Sequence, residues 1–342
     1  MEPAPPSSDV PTFIEVGDAG GHRQILGGLS ALERVIRVLG KQGVTRVVVA
    51  AEPFDVEHEG PPRVPHGVAV EWVAPGTAPA AGQPVVRGDE VAGVRITDEA
   101  SRRRAEWALF KSLPKSHQGP TDAAVNQHFS LRITRVLCRT RIHPNHITIV
   151  SLFWGLAACA LVLQPSWLMI GLAGVMMQVH NILDSCDGEM ARLRFQFTKS
   201  GAWLDNVFDE VVDDAFIACC GLAAGGVWAW IGVAGGAARF LANALQWVEI
   251  YKMGSGSAYA FRFWFEAPDA TADDVYGKRS ALYYVRALGR RDSFVFAFMI
   301  LLLARQPQAV AVWGAANGAV ILGLMLAHQV LRGPAAATRA AS

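Results

Sequence analysis

Four aspartates stand at fixed spacings between two strongly apolar segments of the chain. They are Asp184, Asp187, Asp205 and Asp209. Ionised side chains at membrane depth are costly and usually serve a function. The first question is therefore what these carboxylates bind, and which reaction needs them at the edge of a membrane.

The spacing places the four carboxylates on two helix faces. At about 100° per residue, Asp184 and Asp187 fall on one stripe of a first helix. Asp205 and Asp209 are four residues apart and share a face of the next helix. The connector between the helices is short and basic. We therefore expect antiparallel neighbours whose acidic faces meet at the cytoplasmic membrane edge.

Converging carboxylates require cations. Hard divalent ions such as Mg²⁺ or Mn²⁺ suit carboxylate and phosphate oxygens. Gly188, Ala191 and Gly201 share the acidic faces and leave room for a ligand beside the helix backbone. The alternative interpretation, helix-end aspartates paired with nearby arginines, explains one or two acids more readily than four on adjacent faces.

Six apolar stretches predict six transmembrane helices, because several approach the roughly 20 residues that cross a bilayer. They cover about 147–163, 167–186, 203–223, 226–249, 290–304 and 309–331. We expect an α-helical membrane protein with six transmembrane helices and a small α/β cytoplasmic N-terminal domain.

Charges between the stretches predict the orientation. The linker between the second and third stretches and the loop 250–291 are basic, whereas the connectors 164–166 and 223–226 carry no charge. Positively charged loops stay in the cytoplasm. We therefore expect both termini and the active site on the cytoplasmic side of a prokaryotic-type inner or plasma membrane.

The N-terminal part alternates strand and helix patterns. The segments "TFIEVG" and "TRVVVAA" are typical of strands, and "SALERVIRVLGKQGV" between them is typical of an amphipathic helix. We expect an α/β domain over 1–97, connecting and amphipathic interfacial helices over 98–142, a six-helix domain over 143–333 and a tail over 334–342. The arginine-rich part of the second segment suits a membrane interface, although a solvated helix face has the same pattern.

Composition supports neither a nucleic-acid-binding protein nor one stabilised by disulfides or zinc. The formal net charge of +1 offers no argument for a nucleic-acid partner. The five cysteines show no C-x-x-C spacing, so no disulfide or zinc framework is predicted.

The acids belong to a longer pattern, D-x₂-D-G-x₂-A-R-x₈-G-x₃-D-x₃-D. This pattern resembles the signature of the CDP-alcohol phosphotransferase (phosphatidyltransferase) family. Every fixed position matches: Asp184, Asp187, Gly188, Ala191, Arg192, Gly201, Asp205 and Asp209. The resemblance implies a six-helix, usually homodimeric membrane enzyme. Such enzymes transfer a substituted phosphate from a CDP-alcohol to an acceptor hydroxyl, release CMP and use two divalent cations, Mg²⁺ or Mn²⁺.

The resemblance also implies roles for the charged signature residues. Asp184, Asp187 and Asp205 are expected as metal ligands. Asp209 is expected both as a ligand and as the general base that deprotonates the acceptor hydroxyl. Arg192 is expected to neutralise a phosphate, with a snorkelling cytoplasmic arginine as the alternative.

A nucleotide or phosphate site is expected around the small signature residues. The same site is expected to include Asn145 and Thr148, which belong to a "PN-x-x-T" element that opens the first span in many family members. Their polar side chains suit cytosine or ribose. Capping of the helix at its membrane entry is the alternative role for this element.

Two further segments narrow the resemblance. The run "KSLPKSHQGPTDAAVNQHFSLRITRVLCRTRIHPNHIT" and the segment "LGRRDSF" resemble the membrane half of di-myo-inositol-phosphate-phosphate synthase-like members. This implies an inositol phosphate or another polyol phosphate as the acceptor. Phospholipid synthesis from CDP-diacylglycerol or a CDP-archaeol-like donor is the alternative. A non-catalytic membrane scaffold that binds divalent ions is a hypothesis of a different class.

Basic side chains near the acids are candidates for binding an acceptor phosphate. They are Arg239, Arg290, Arg291 and Lys199. Arg239 has a second interpretation, an ion pair within the membrane with an aspartate of the third span. His180, one turn before the first aspartate of the signature, is expected either to orient a metal ligand or to be a core histidine.

The N-terminal domain resembles part of a nucleotidyltransferase. The run "ILGGLSALERVIRVLGKQGVTRVVVAAEP" is similar to the early helix and strand of sugar-phosphate cytidylyltransferases. The short "VGDAGGHRQ" stands where those enzymes have a glycine-rich triphosphate loop with its arginine. We therefore expect a degenerate domain that serves stability or docking.

Overall fold

A computed structural model describes most of the 342-residue chain. The described residues are 10–17, 20–52, 64–113, 119–253, 261–265 and 289–339, with the backbone alone for Lys199 and for 332–339. The basic loop expected over 250–291 lies largely outside them. The chain forms two compact units, one comprising residues 1–114 together with 135–141 and 192–195, the other comprising the remainder.

The first unit is built on a small parallel sheet. Its strands are β1 (Thr12–Glu15), β4 (Arg46–Ala50), β5 (Ala69–Val73) and β6 (Val85–Arg87), in the order β5-β4-β1-β6 and all paired in parallel. Two short antiparallel hairpins accompany it, β2 (Ile25–Leu26) with β3 (Leu29–Ser30), and β7 (Glu90–Val91) with β8 (Val94–Arg95). Helix α2 (Glu99–Lys111) follows.

Helix α1 (Ala31–Lys41) packs its apolar side on this sheet. It begins with a capping box: the Ser30 hydroxyl accepts a hydrogen bond from the Glu33 amide at 3.2 Å, and the Glu33 carboxylate accepts from the Ser30 amide at 2.7 Å. The helix side chains Leu32 and Ile36 are buried against Val47 and Val49 of β4. The predicted strand, helix and strand are thus confirmed.

The second unit is helical. A π-helical turn (Asp122–Asn126) leads into α3 (Gln127–Leu137). Six helices follow along the described chain: α4 (Pro144–Val162), α5 (Trp167–Arg194), α6 (Lys199–Ala224), α7 (Val227–Lys252), α8 (Arg291–Leu303) and α9 (Pro307–Arg339). Helix α9 therefore continues through most of the segment expected as a tail.

Two of these helices are long and apolar enough to cross a membrane. Among the described residues they are Pro144–Val162, with a mean hydropathy of 1.7, and Pro307–Leu331, with 1.9. Helix α8 has only 13 residues. Helices α5 and α6 carry the acids of the signature, which lower their mean hydropathy. The mostly helical fold with a small N-terminal sheet is confirmed, and the remaining spans stay a prediction.

Helices α6 and α7 approach each other through glycines. A Cβ atom placed on Gly232 would lie 2.7 Å from the Gly221 Cα atom, which is too close for any real contact. The helices can therefore pack backbone to backbone only without side chains at these positions, as small residues allow in membrane bundles.

We expect Gly232→Leu to lower the melting temperature of the detergent-solubilised protein, because the inserted side chain must push two helix backbones apart. Overpacking of this kind typically destabilises by about 1–3 kcal/mol. Gly323→Leu is the matched control, since nothing lies within 4 Å of a Cβ atom at that helical position. Equal melting temperatures for the two variants would contradict the packing described here.

Candidate functional site

Three aspartates of the signature meet in the helical unit. Asp184 and Asp187 lie on α5, Asp205 lies on α6, and one carboxylate oxygen of each is within 4.8 Å of the others. Asp187 is buried, whereas the other two are partly exposed. The spacing-based expectation that the two helices bring their acids together therefore holds for these three residues.

Helix α4 holds one of these carboxylates in place. The Thr148 hydroxyl, itself buried, donates a hydrogen bond of 2.6 Å to Asp187 Oδ2. The turn that carries Thr148 begins at His143, whose ring accepts from the Asn145 amide, and Pro144 occupies the first helical position. The "PN-x-x-T" element thus serves as a helix start and also brings a donor to the acidic cluster.

Asp209 lies beside the cluster and contacts an arginine. Arg291 Nη1 is 2.6 Å from Asp209 Oδ2 and 3.0 Å from Asp184 Oδ2. Arg291 Nε is 2.9 Å from Asp213 Oδ2. One guanidinium from the start of α8 therefore bridges three carboxylates of α5 and α6. The expected roles of Asp209 as ligand and base stay predictions.

His180 also faces Asp209. Its Nε2 atom lies 3.6 Å from Asp209 Oδ1, and its Nδ1 atom lies 2.7 Å from the Ser151 hydroxyl. His180 and Ser151 are both buried. Ser151 was not predicted, although it follows Thr148 by three residues on the same face of α4, which is a signal that the sequence contains.

Glu189 anchors α3 to α5. Its two carboxylate oxygens accept hydrogen bonds of 2.6 Å from the hydroxyls of Ser130 and Thr134, and all three side chains are buried. Ser130 and Thr134 are four residues apart on one face of α3. This contact was not predicted, because Glu189 occupies a variable position of the signature.

A pocket opens next to the three-acid cluster. It is lined by Asp187 and Asp205 and by the predicted nucleotide-site residues Asn145, Thr148, Gly188, Ala191 and Gly201. At its rim, Thr198 caps α6 by accepting a hydrogen bond of 3.0 Å from the Gly201 amide. A Cβ atom on Gly201 would lie 2.8 Å from the Thr198 hydroxyl oxygen, so this position requires glycine.

Arg192 does not line this pocket. Its Nε atom donates a hydrogen bond of 2.8 Å to the Leu113 carbonyl within the first unit. The expected contact of Arg192 with a phosphate stays a prediction.

The other basic candidates are engaged with acids or fall outside the described side chains. Arg239 Nε is 2.8 Å from Asp214 Oδ1, and its guanidinium also contacts Asn317. This is the ion pair that was the alternative interpretation for Arg239. Arg290 Nε lies 3.3 Å from Asp292 Oδ1. The side chain of Lys199 is outside the described part of the chain.

The acidic cluster fits a divalent cation. Three carboxylates from two helices offer hard oxygen donors within 4.8 Å of one another, which is the donor set that Mg²⁺ and Mn²⁺ favour. The Thr148 hydroxyl orients one of them from outside, as is usual for ligating carboxylates. The identity of the metal does not follow from this geometry.

Comparison with known proteins identifies a family whose signature contains the acids of this site. Residues 141–328 match the family model described as CDP-alcohol phosphatidyltransferase. A bifunctional IPC transferase and DIPP synthase of Archaeoglobus fulgidus is 34% identical over 140 residues, which are 41% of this chain and 28% of the relative. The Aquifex aeolicus protein of the same name is 29% identical over 205 residues, 60% of this chain and 42% of the relative.

A shorter relative has a different name. The archaetidylinositol phosphate synthase of Pyrococcus horikoshii is 34% identical over 100 residues, which are 29% of this chain and 50% of the relative. The chain spans less than half the length of the bifunctional relatives. The family match covers more than half of the chain and contains all eight signature positions. The chain therefore belongs to the CDP-alcohol phosphatidyltransferase family.

Proposed function

We propose that the protein transfers a substituted phosphate group from a CDP-alcohol to the hydroxyl of an acceptor alcohol and releases CMP. One observation carries this proposal: Asp184, Asp187 and Asp205 gather within 4.8 Å of one another, and the last two line a pocket with the small signature residues. Cations held by these acids would neutralise a pyrophosphate, and the small residues would let it lie close to the helix backbone.

The three acids would hold the divalent cations, with Asp209 as a fourth ligand. When bound, two such cations neutralise a pyrophosphate and stabilise its leaving oxygen. Thr148 fixes the orientation of Asp187, and Asn145 is placed to contact the nucleotide from the pocket wall. The small residues Gly188, Ala191 and Gly201 admit the phosphates.

Asp209 would act as the general base. The acceptor hydroxyl gives its proton to the Asp209 carboxylate as its oxygen bonds to phosphorus, and the bond from phosphorus to the CMP oxygen breaks. A base must be ionised before it accepts the proton. Arg291, 2.6 Å away, stabilises the ionised form of Asp209, and His180 Nε2 lies 3.6 Å from its other carboxylate oxygen.

The helices would place this chemistry at a membrane surface. We propose that α4 to α9 cross the bilayer, with both termini and the acidic cluster on the cytoplasmic side, and that two copies form a homodimer. The uncharged connectors 164–166 and 223–226 and the basic linker between α5 and α6 support this orientation. The arginines of α3 suit contact with anionic headgroups.

An inositol phosphate or another polyol phosphate is the first candidate for the acceptor. The names of the relatives and the similar segments before α4 and at the start of α8 support it. Among the described candidates, Arg291 contacts Asp184 and Asp209 directly, and it must leave at least one carboxylate to bind a phosphate. Arg290 precedes it in the chain and lies 3.3 Å from Asp292. Arg239 and Lys199 are the other candidates. Phospholipid synthesis from CDP-diacylglycerol or a CDP-archaeol-like donor is the second candidate function.

The direct test measures CMP. Detergent-solubilised protein with Mn²⁺ is incubated with a panel of CDP-alcohols and acceptors, including inositol phosphate. Release of CMP that depends on both substrates and stops on chelation is expected. Mn²⁺ binding without CMP release from any pair would favour a metal-binding scaffold instead.

Asp209→Asn is expected to reduce CMP release by about 10²–10⁴-fold, because the amide cannot accept the proton from the acceptor. Glu249→Gln is the control, since Glu249 forms a solvent-accessible pair with Lys252 at 2.9 Å. Unchanged turnover in Asp209→Asn would rule out the assignment of this residue as the base.

Thr148→Val is expected to raise the Mn²⁺ concentration needed for half-maximal turnover by about 10–100-fold, since loss of an orienting hydrogen bond to a ligand has effects of this size. The matched control is Thr140→Val, because Thr140 is exposed and donates to the Leu137 carbonyl at 2.7 Å. The same Mn²⁺ requirement in both variants would show that Thr148 does not support the site.

A further inference from the structure

Two adjacent glycines form the turn of the β2–β3 hairpin. Gly27 has φ +55° and Gly28 has φ +86°, and two-residue hairpin turns of the favoured type need positive φ at both positions. The turn exposes the carbonyls of Leu26 and Gly27 toward the side chain of Arg34 on α1. In the sequence, this glycine pair lies in the run "ILGGLSALERV", just after the short segment that replaces a triphosphate loop.

Arg34 links this turn to the end of α5 through hydrogen bonds. Its Nε donates to the Leu26 carbonyl at 3.0 Å and its Nη2 to the Gly27 carbonyl at 3.1 Å, while Nη1 donates to the Leu193 carbonyl at 2.7 Å. The last carbonyls of a helix have no partner within the helix and carry its negative dipole end. Burial lowers the pKa of Arg34 to about 10, which leaves the guanidinium charged at neutral pH.

The shape of the hairpin fits the last turn of α5. Leu193 is fully buried, and a Cβ atom on Gly27 would lie 2.7 Å from its Cδ2 atom. A Cβ atom on Gly28 would lie 3.1 Å from the Cys138 carbonyl oxygen, which accepts a hydrogen bond from Arg194 Nη2 at 3.1 Å. A methyl group on Gly27 would therefore displace the Leu193 side chain, and one on Gly28 would make a tight contact with the Cys138 carbonyl.

Helix α5 ends at Arg194, and Phe195 after it has a conformation that normally favours glycine. Phe195 has φ +56°, and the Gln196 amide donates to the Ala191 carbonyl at 2.9 Å, the arrangement of a Schellman motif. A non-glycine residue in this region costs about 1–2 kcal/mol. The phenylalanine adds a ring to the contact, with Lys41 Nζ 4.8 Å from its centroid.

Four consecutive residues at the end of α5 are thus each held by a different group of the first unit: Arg192, Leu193, Arg194 and Phe195. We propose that the N-terminal α/β unit is a positioning clamp, which fixes where α5 ends and thereby where its metal ligands lie. This inference rests on the proposed function for its catalytic consequence.

The distances along the chain make the coupling direct. Asp187 precedes Leu193 by six residues on the same helix, about 9 Å. Only Gln196, Phe197 and Thr198 separate the end of the clamped segment from α6, where Asp205 is the seventh residue. A shift at the end of α5 therefore changes the separation of ligands on both helices.

The test compares two glycine variants. Gly27→Ala introduces a Cβ atom against Leu193 at φ +55°, whereas Gly43→Ala introduces one at φ +90°, also in the positive range, with nothing within 4 Å. Mn²⁺ binding to the full-length protein in detergent is measured by electron paramagnetic resonance, together with thermal unfolding. We expect Gly27→Ala to weaken Mn²⁺ binding about tenfold relative to Gly43→Ala, at equal melting temperature.

Rescue separates positioning from simple destabilisation. Adding Leu193→Ala to Gly27→Ala removes the three atoms nearest to the new methyl group, so Mn²⁺ affinity should return toward that of Leu193→Ala alone. Should Gly27→Ala fail to fold, Arg34→Lys replaces it, with Arg46→Lys at an exposed position as its control. Lysine keeps the positive charge but lacks the planar fork from which Arg34 donates to three carbonyls.

The outcomes distinguish the two proposals. Equal Mn²⁺ affinity in the clamp variant and its control would overturn the clamp, whether or not the wild type releases CMP. Weaker Mn²⁺ binding in the clamp variant than in its control would support the clamp. If the wild type also released no CMP from any substrate pair, the proposed reaction would be overturned while the clamp stood.

Discussion

The concentration of acidic side chains in an apolar helical unit is the constraint on which the rest of that unit depends. Buried carboxylates persist only where donors or cations surround them. Helix α6 alone carries Asp205, Asp209, Glu210, Asp213 and Asp214. Partners for so many acids cannot all come from the same helix, so the acids determine which helices must pack around α6 and in which register.

The partners are distributed accordingly. Helix α7 supplies Arg239 and Trp247 to acids of α6, and α8 supplies Arg291. Asn317 of α9 accepts a hydrogen bond from Arg239, and Thr148 of α4 donates to Asp187 on α5. The ion pair of Arg239 lies on the α7 side of α6 and ties three helices together. The guanidinium of Arg291 lies on the other side, among the acids proposed for catalysis. The need to pair buried acids thus accounts both for the Arg239–Asp214 ion pair and for the contacts of Arg291 in the candidate site.

Sequence patterns predicted the parts of this arrangement that are local. The spacing of Asp184, Asp187 and Asp205 placed them on two facing helices, and hydropathy located the helices themselves. The contacts of Arg291 were beyond such reasoning, because its partners lie about 80 and 100 residues earlier in the chain and depend on the packing of α8. Hydropathy also treats every acid as a penalty, so it does not separate a membrane helix with buried ion pairs from a soluble one.

The glycine pair of the first unit has a role that only the structure reveals. Sequence patterns assign no function to Gly27 and Gly28. In the structure they form a hairpin turn beside Leu193, which lets Arg34 donate both to the turn carbonyls and to the Leu193 carbonyl of α5. A helix that ends next to an acidic cluster must end at a defined residue, because a connector as short as 196–198 transmits displacements to α6. An α/β unit that holds this end would meet the requirement without binding a nucleotide.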